Sequence, residues 1–298
     1  MSSYFINESD YKSSINIDII SNQATVSYSS NHKHFYFKEH ITAPENTHLI
    51  LGITNFSMPY MFYQIRENIN DTLTITTIKD GITKSVDIVI PEGNYTVQSF
   101  VPILNTILTE QFLNLGAQLV LFSDYTKSKF YFTCYPKMEE VIFENNNLYQ
   151  VLGFPSSSES YSYYNLETFN VPYCYNFAGN SCIYIKLLHH NLHNLNSSNI
   201  GDIISCINVN VLPNEFIYYR PSDPQFFKSS KLSINEIEIA ILDENFQDIN
   251  LNGAIFRMTL SVHFSQNKKN KNIEDNIIST NINENKKDEN TRSENDES

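Results

Sequence analysis

Residues 232–264 read LSINEIEIAILDENFQDINLNGAIFRMTLSVHF, and this stretch decides the fold class. Phe256, Met258, Leu260, Val262 and Phe264 are apolar, and Arg257, Thr259, Ser261 and His263 between them are not. A strict period of two predicts a strand with one buried face. Upstream, Ile237, Ile239 and Ile241 alternate with Glu236, Glu238 and Ala240. Leu232 and Ile234 stand in the other phase, which predicts a bulge near Asn235. Between the two strands lies a polar segment, 243–253, ending in Asn252-Gly253, a strong turn pair.

Working outward, the same alternation recurs at Phe35 and Phe37, at Leu49, Leu51 and Ile53, at Ile183, Ile185 and Leu187, and at Ile207, Val209 and Val211. Short strands with polar turns in both halves of the chain predict a mainly β protein, a β sandwich or jelly roll. The middle differs. Leu73 and Ile75 pair with Val86, Ile88 and Ile90 across Asp80-Gly81. Val97, Phe100, Val101, Leu104, Ile107, Leu108 and Phe112 then follow at helical spacing. Ser99 as the N-cap would place Pro102 in the first turn, where proline is tolerated. Two strands (118–122 and 129–134) and a short helix (147–152) ended by Gly153 complete an α+β insertion. The expected order is jelly roll over 1–69, insertion over 70–160 with a serine-rich return linker at 155–162, jelly roll over 161–264, and a tail over 265–298. The tail holds no aromatic residue and only four isoleucines as large apolar side chains, so it is expected to be disordered.

The 298 residues carry a net charge of −13, which disfavours nonspecific binding to a nucleic-acid backbone. No run approaches the ~18 apolar residues of a membrane span, and the first twelve residues do not read as a secretory signal. Cys134, Cys174, Cys182 and Cys206 form no C-x-x-C pair and are expected to be free, buried thiols. The sharpest enzyme-like feature is His32-Lys33-His34 followed by Glu39, two imidazoles on one side of a strand with a carboxylate beyond. It resembles the first motif of cupins, which are metalloenzymes with a jelly-roll fold. The flanking glycines are replaced by Val26 and Asn46, and Thr96 stands where the second motif's histidine belongs. His189, His190 and His193 lack a metalloprotease glutamate and read as a polar loop. Asp243, Asn245 and Gln247 resemble a calcium loop, but strands flank them and Asp248 takes the place of the turn glycine. No catalytic residue, metal ligand or cofactor is assigned.

Several segments taken in order carry a wider resemblance: Leu49-Ile50-Leu51-Gly52-Ile53-Thr54-Asn55-Phe56, Met58-Pro59-Tyr60 and Asn70-Asp71-Thr72-Leu73-Thr74-Ile75. Ile90-Pro91-Glu92-Gly93-Asn94-Tyr95-Thr96, Leu104-Asn105, Leu152-Gly153-Phe154, Ile207-Asn208-Val209-Asn210-Val211 and the closing hairpin follow. From about Phe35 to Phe264 the chain resembles the minor capsid (penton) proteins of virophages and Polinton-type viruses. The resemblance implies a single jelly roll, not an enzyme. It implies five copies filling an icosahedral vertex among double-jelly-roll major capsid proteins, in a virion assembled in the host cytoplasm. Two other functions compete. One is a virion attachment protein whose insertion binds a glycan or receptor, suggested by Tyr161, Tyr163 and Tyr164. The other is a cupin-like metalloenzyme using His32, His34 and Glu39.

Overall fold

A computed structural model describes residues 11–113, 116–155, 159–192 and 201–266. Strands β1 (Tyr11–Ile20), β2 (Val26–Ser27), β3 (His32–Thr42) and β4 (Thr47–Pro59) come first. The middle holds β5 (Thr72–Lys79), β6 (Ile82–Val89), helix α1 (Val97–Leu113), β7 (Gln118–Asp124), β8 (Lys129–Tyr135), β9 (Glu140–Glu144), helix α2 (Tyr149–Leu152), β10 (Ser160–Tyr164) and β11 (Thr168–Asn170). The last part holds β12 (Cys182–Leu188), β13 (Ile203–Asn208), β14 (Phe216–Tyr219), β15 (Phe227–Lys228), β16 (Ser233–Leu242) and β17 (Arg257–Gln266).

Two antiparallel sheets form the body. One runs β1-β17-β4-β14, with β15 also on β4; the other runs β13-β12-β16-β3-β2. Number the eight principal body strands in chain order, leaving out the two-residue β2 and β15. The sheets then read first-eighth-third-sixth and second-seventh-fourth-fifth. That order is two Greek keys wound together, a jelly roll. The inner faces follow from the period of two. Phe256, just before β17, and Met258, Leu260, Val262 and Phe264 of β17 meet Ile183, Ile185 and Leu187 of β12 and Ile237, Ile239 and Ile241 of β16 in one buried cluster. Each such side chain contributes roughly 1.5–3 kcal/mol when withdrawn from water. The expected bulge is present: the pairing of β16 with β3 shifts between Ile234 and Glu236, at Asn235. Asn252 and Gly253 both have positive φ, 49° and 78°, as a type I′ turn requires.

A second buried cluster, from Ile65 to Val171, lies between the third and fourth strands of the jelly roll. Its sheets run β10-β9-β5-β6 and β11-β8-β7. Helix α1 buries Val97, Phe100, Leu104, Leu108 and Phe112, residues three to four apart on one stripe.

The structure corrects several expectations. The cap of α1 is Thr96, not Ser99: Thr96 Oγ1 accepts the Ser99 N–H at 3.3 Å, and Ser99 Oγ accepts the Thr96 N–H at 3.0 Å. Pro102 therefore falls in the second turn, where one helical hydrogen bond is missing. Residues 160–162, expected within the linker, belong to β10, which pairs with β9, and the insertion's core runs past 160 to Phe169 and Val171. The last body strand does not stop at Phe264, because Ser265 and Gln266 still pair with His48 and Thr47. Strand β1 adds a further body strand, in which Ile15, Ile17 and Ile19 alternate with polar residues. The expected tail, from 267 onward, lies outside the described residues.

Candidate functional site

Strand β3 turns Phe35 into the core, so His32 and His34 stand on the outer face of the sheet. There β16 brings Glu238 opposite His34 and Glu236 opposite Tyr36. His32 Nε2 lies 2.5 Å from Glu238 Oε1, and His189 Nε2 lies 3.4 Å from Glu238 Oε2. His34 Nδ1 is 3.8 Å from Glu238 Oε2, and its Nε2 is 3.3 Å from Glu236 Oε2. Three imidazoles thus surround one nearly buried carboxylate. Glu39 takes no part in this cluster. It is exposed farther along β3 and lines a shallow hollow with Phe37 and Ile41. The set His32, His34 and Glu39 is not brought together, and among the described residues no group of three or more His, Cys, Asp or Glu is arranged to hold a metal ion. Glu236 and Glu238 were not singled out from sequence, because only the pairing register reveals what they face.

His189 and His190 sit in the turn after β12, while His193 lies outside the described residues. His190 is 1% exposed, and its backbone carbonyl accepts hydrogen bonds from the Ser229 hydroxyl at 3.1 Å and the Ser230 N–H at 3.2 Å. Burial, with Lys231 nearby, pushes its pKa down from 6.5 to about 4; Asp202 and Glu236 oppose the shift and His189 adds to it. Above pH 6.5 the ring is neutral in both folded and unfolded chains. Between 6.5 and about 4 the unfolded chain takes up a proton that the folded chain refuses, so stability falls with falling pH in that window. The loss amounts to about 3 kcal/mol at its limit. Urea unfolding of His190→Leu between pH 7 and 4 is expected to show a shallower acid loss than the parent chain. Parallel curves would contradict this role for His190.

The loop after β16 is organised by Asp243, which is fully buried. Its Oδ1 accepts the N–H groups of Asn245 and Gln247, both at 2.8 Å. Its Oδ2 accepts a hydrogen bond from Arg66 Nη2 at 2.6 Å. The aspartate of the calcium-like motif is therefore committed to an Asx-type turn and an ion pair. Arg66, just before the insertion's first strand, had no local signature in the sequence.

The cysteines are free, as expected, but only Cys134 is buried; Cys174 and Cys206 are exposed and Cys182 is intermediate. Burial raises Cys134 to about 11, and burial together with the neighbouring Cys182 thiol raises Cys206 to about 11. Neither is a thiolate nucleophile at neutral pH. The three tyrosines of the attachment reading are not a free cluster. Tyr163 stacks on Phe169 at 4.4 Å and donates to the Asn170 carbonyl, and Tyr161 packs near Phe154 at 6.0 Å. Tyr164 alone of the three is exposed.

A cleft of about 430 Å³ opens where the insertion meets the jelly roll. Gln64, Arg66, Asn147, Gln150 and Asn176 line one side, and Asn180, Glu244, Asn245 and Gln247 the other. Gly179, at φ 69°, lets the segment before β12 approach closely, since a Cβ there would meet Tyr60 Oη at 2.9 Å and Gln64 Cγ at 3.0 Å.

No protein-family profile and no curated protein sequence matches the chain. Among solved structures, the crystal structure of selenomethionine-labelled mavirus penton protein matches 84% of this chain and 98% of its own. The identity is 14% and the TM-score 0.50, so the likeness concerns the fold. By this match, the chain has the fold of the penton protein of mavirus, a virophage.

Proposed function

We propose that this chain is a structural virion protein that fills icosahedral capsid vertices as a homo-pentamer, beside double-jelly-roll major capsid proteins, and that it is not an enzyme. The observation that carries the reading is the jelly roll itself, matched to a penton protein over 98% of that protein's length. We take the domains to be a body of residues 11–62 and 182–266, an inserted domain between them, and a tail beyond.

The physical features suit a vertex. A jelly roll presents sheet edges and end loops from which copies pack into a closed ring, each using the same surfaces. Strand β14 is a short sheet edge with exposed aromatics: Phe216 and Tyr218 stack at 5.7 Å, and Leu212 is exposed nearby. Exposed aromatics at an edge are typical of surfaces that associate. The net charge of −13 fits a shell component better than a genome-binding one.

The test is co-expression with a double-jelly-roll major capsid protein from the same virus, followed by imaging of the particles. The reading predicts density for this chain at the five-fold positions. Closed particles whose vertices lack it would contradict the reading.

A further inference from the structure

We propose that the cleft between the jelly roll and the insertion binds a neutral glycan. This stands apart from the vertex reading, because it concerns the isolated chain.

The lining supplies the argument. Asn180 is 8% exposed, borders the cleft, and its carboxamide has no hydrogen-bond partner among the described residues. The described residues offer this largely covered amide no partner, and a guest in the cleft can supply one. Asn147 and Asn176 use their side-chain oxygens on the N–H groups of Thr72 at 2.6 Å and Ala178 at 3.0 Å, which leaves their amide hydrogens available. Gln150 and Asn245 border the same space and make no side-chain hydrogen bond among the described residues. The arrangement is held by structural bonds from Gln64, whose Nε2 donates to the Phe177 carbonyl at 2.8 Å and whose Oε1 accepts the Tyr95 N–H at 2.9 Å.

The chemistry of these groups selects the ligand class. A carboxamide both donates and accepts. A carboxylate or phosphate only accepts, and an ammonium only donates, so either would leave half of such a lining unmatched. A hydroxyl donates and accepts, so a guest rich in hydroxyls matches it. Charge points the same way. Arg66 and Glu244 are the charged residues of the lining; Arg66 Nη2 is paired with Asp243 at 2.6 Å while its Nη1 is a buried donor without a partner among the described residues, which a guest hydroxyl oxygen can meet, and Glu244 accepts from the Ser181 hydroxyl at 2.7 Å. The site carries no uncompensated cation, and the chain's net charge of −13 repels sulfated or sialylated guests. The cleft's size falls within the range of about 300–1,000 Å³ usual for small-molecule sites.

The experiment is saturation-transfer NMR on the full chain with neutral trisaccharides of glucose, galactose, mannose and N-acetylglucosamine, with 3′-sialyllactose as the anionic arm. The proposal predicts saturation transfer to at least one neutral trisaccharide, with a dissociation constant on the order of millimolar. It predicts little or none to sialyllactose. Asn180→Leu and, separately, Gln150→Ala with Asn245→Ala are expected to weaken binding about tenfold or more. The second pair changes only exposed side chains, so unaltered melting keeps loss of binding distinct from loss of fold. Failure of every neutral sugar, preference for the anionic one, or unchanged binding in the exposed double variant would each overturn the proposal.

Discussion

Replacing Arg66 by methionine is expected to destabilise the protein by about 3–5 kcal/mol. The guanidinium reaches Asp243 Oδ2 at 2.6 Å, and Asp243 is fully buried within the loop that follows β16. Removing the arginine leaves an ionised carboxylate out of water with only two backbone N–H partners. The solvation lost by that charge dominates; the Coulomb attraction of the pair roughly offsets it in the parent chain. Asp243→Asn keeps an oxygen for the Asn245 and Gln247 N–H groups and removes the charge. It sets the new amide's NH2 against the Arg66 donor and leaves that guanidinium, only 11% exposed, without its counter-charge, so it is also expected to cost about 3 kcal/mol. The double variant Arg66→Met with Asp243→Asn is expected to recover most of the loss. Urea unfolding of the four proteins, closed as a double-mutant cycle, measures the coupling. A cost below about 1 kcal/mol for Arg66→Met would show that the pair is not a strut between the insertion and the jelly roll.

The second large effect concerns the two cores. Phe256→Ala and Phe132→Ala are each expected to cost about 3–5 kcal/mol, since each leaves a cavity where an aromatic ring was wholly buried. Phe256 packs on Phe56 in the jelly roll at 6.1 Å between ring centres. Phe132 packs on Phe143 at 4.9 Å and Phe169 at 5.6 Å in the insertion. If body and insertion are separate domains, calorimetry resolves two transitions. Phe256→Ala then lowers mainly the body's transition and Phe132→Ala mainly the other. One transition that moves as a whole with either substitution would contradict separate domains.

The residues differ in how much of this they disclose. The last hairpin could be read down to its bulge at Asn235 and its Asn252-Gly253 turn, because both faces and both turn residues are local in sequence. Helix α1 was legible as a stripe, but its cap was misplaced by three residues: Thr96 and Ser99 are both good caps, and only the backbone path chooses between them. Strand β10 was hidden because serines and tyrosines flank its pairing with β9, and its tyrosines look exposed until Phe143 and Phe169 are placed beneath them. The histidines at 32 and 34 were legible as a same-face pair. Their partners were not, because Glu236 and Glu238 lie some two hundred residues away and meet them only through strand register. The cleft had no sequence signal, since each of its carboxamides is ordinary alone and their convergence depends on how the insertion docks.

The central claim is self-association of the jelly roll into a five-fold ring. Native mass spectrometry of the purified full chain, over a concentration series and with and without the major capsid protein, tests it most directly. The account predicts a five-copy species that grows with concentration or on addition of the major capsid protein. A chain that stays monomeric or dimeric under both conditions would contradict it.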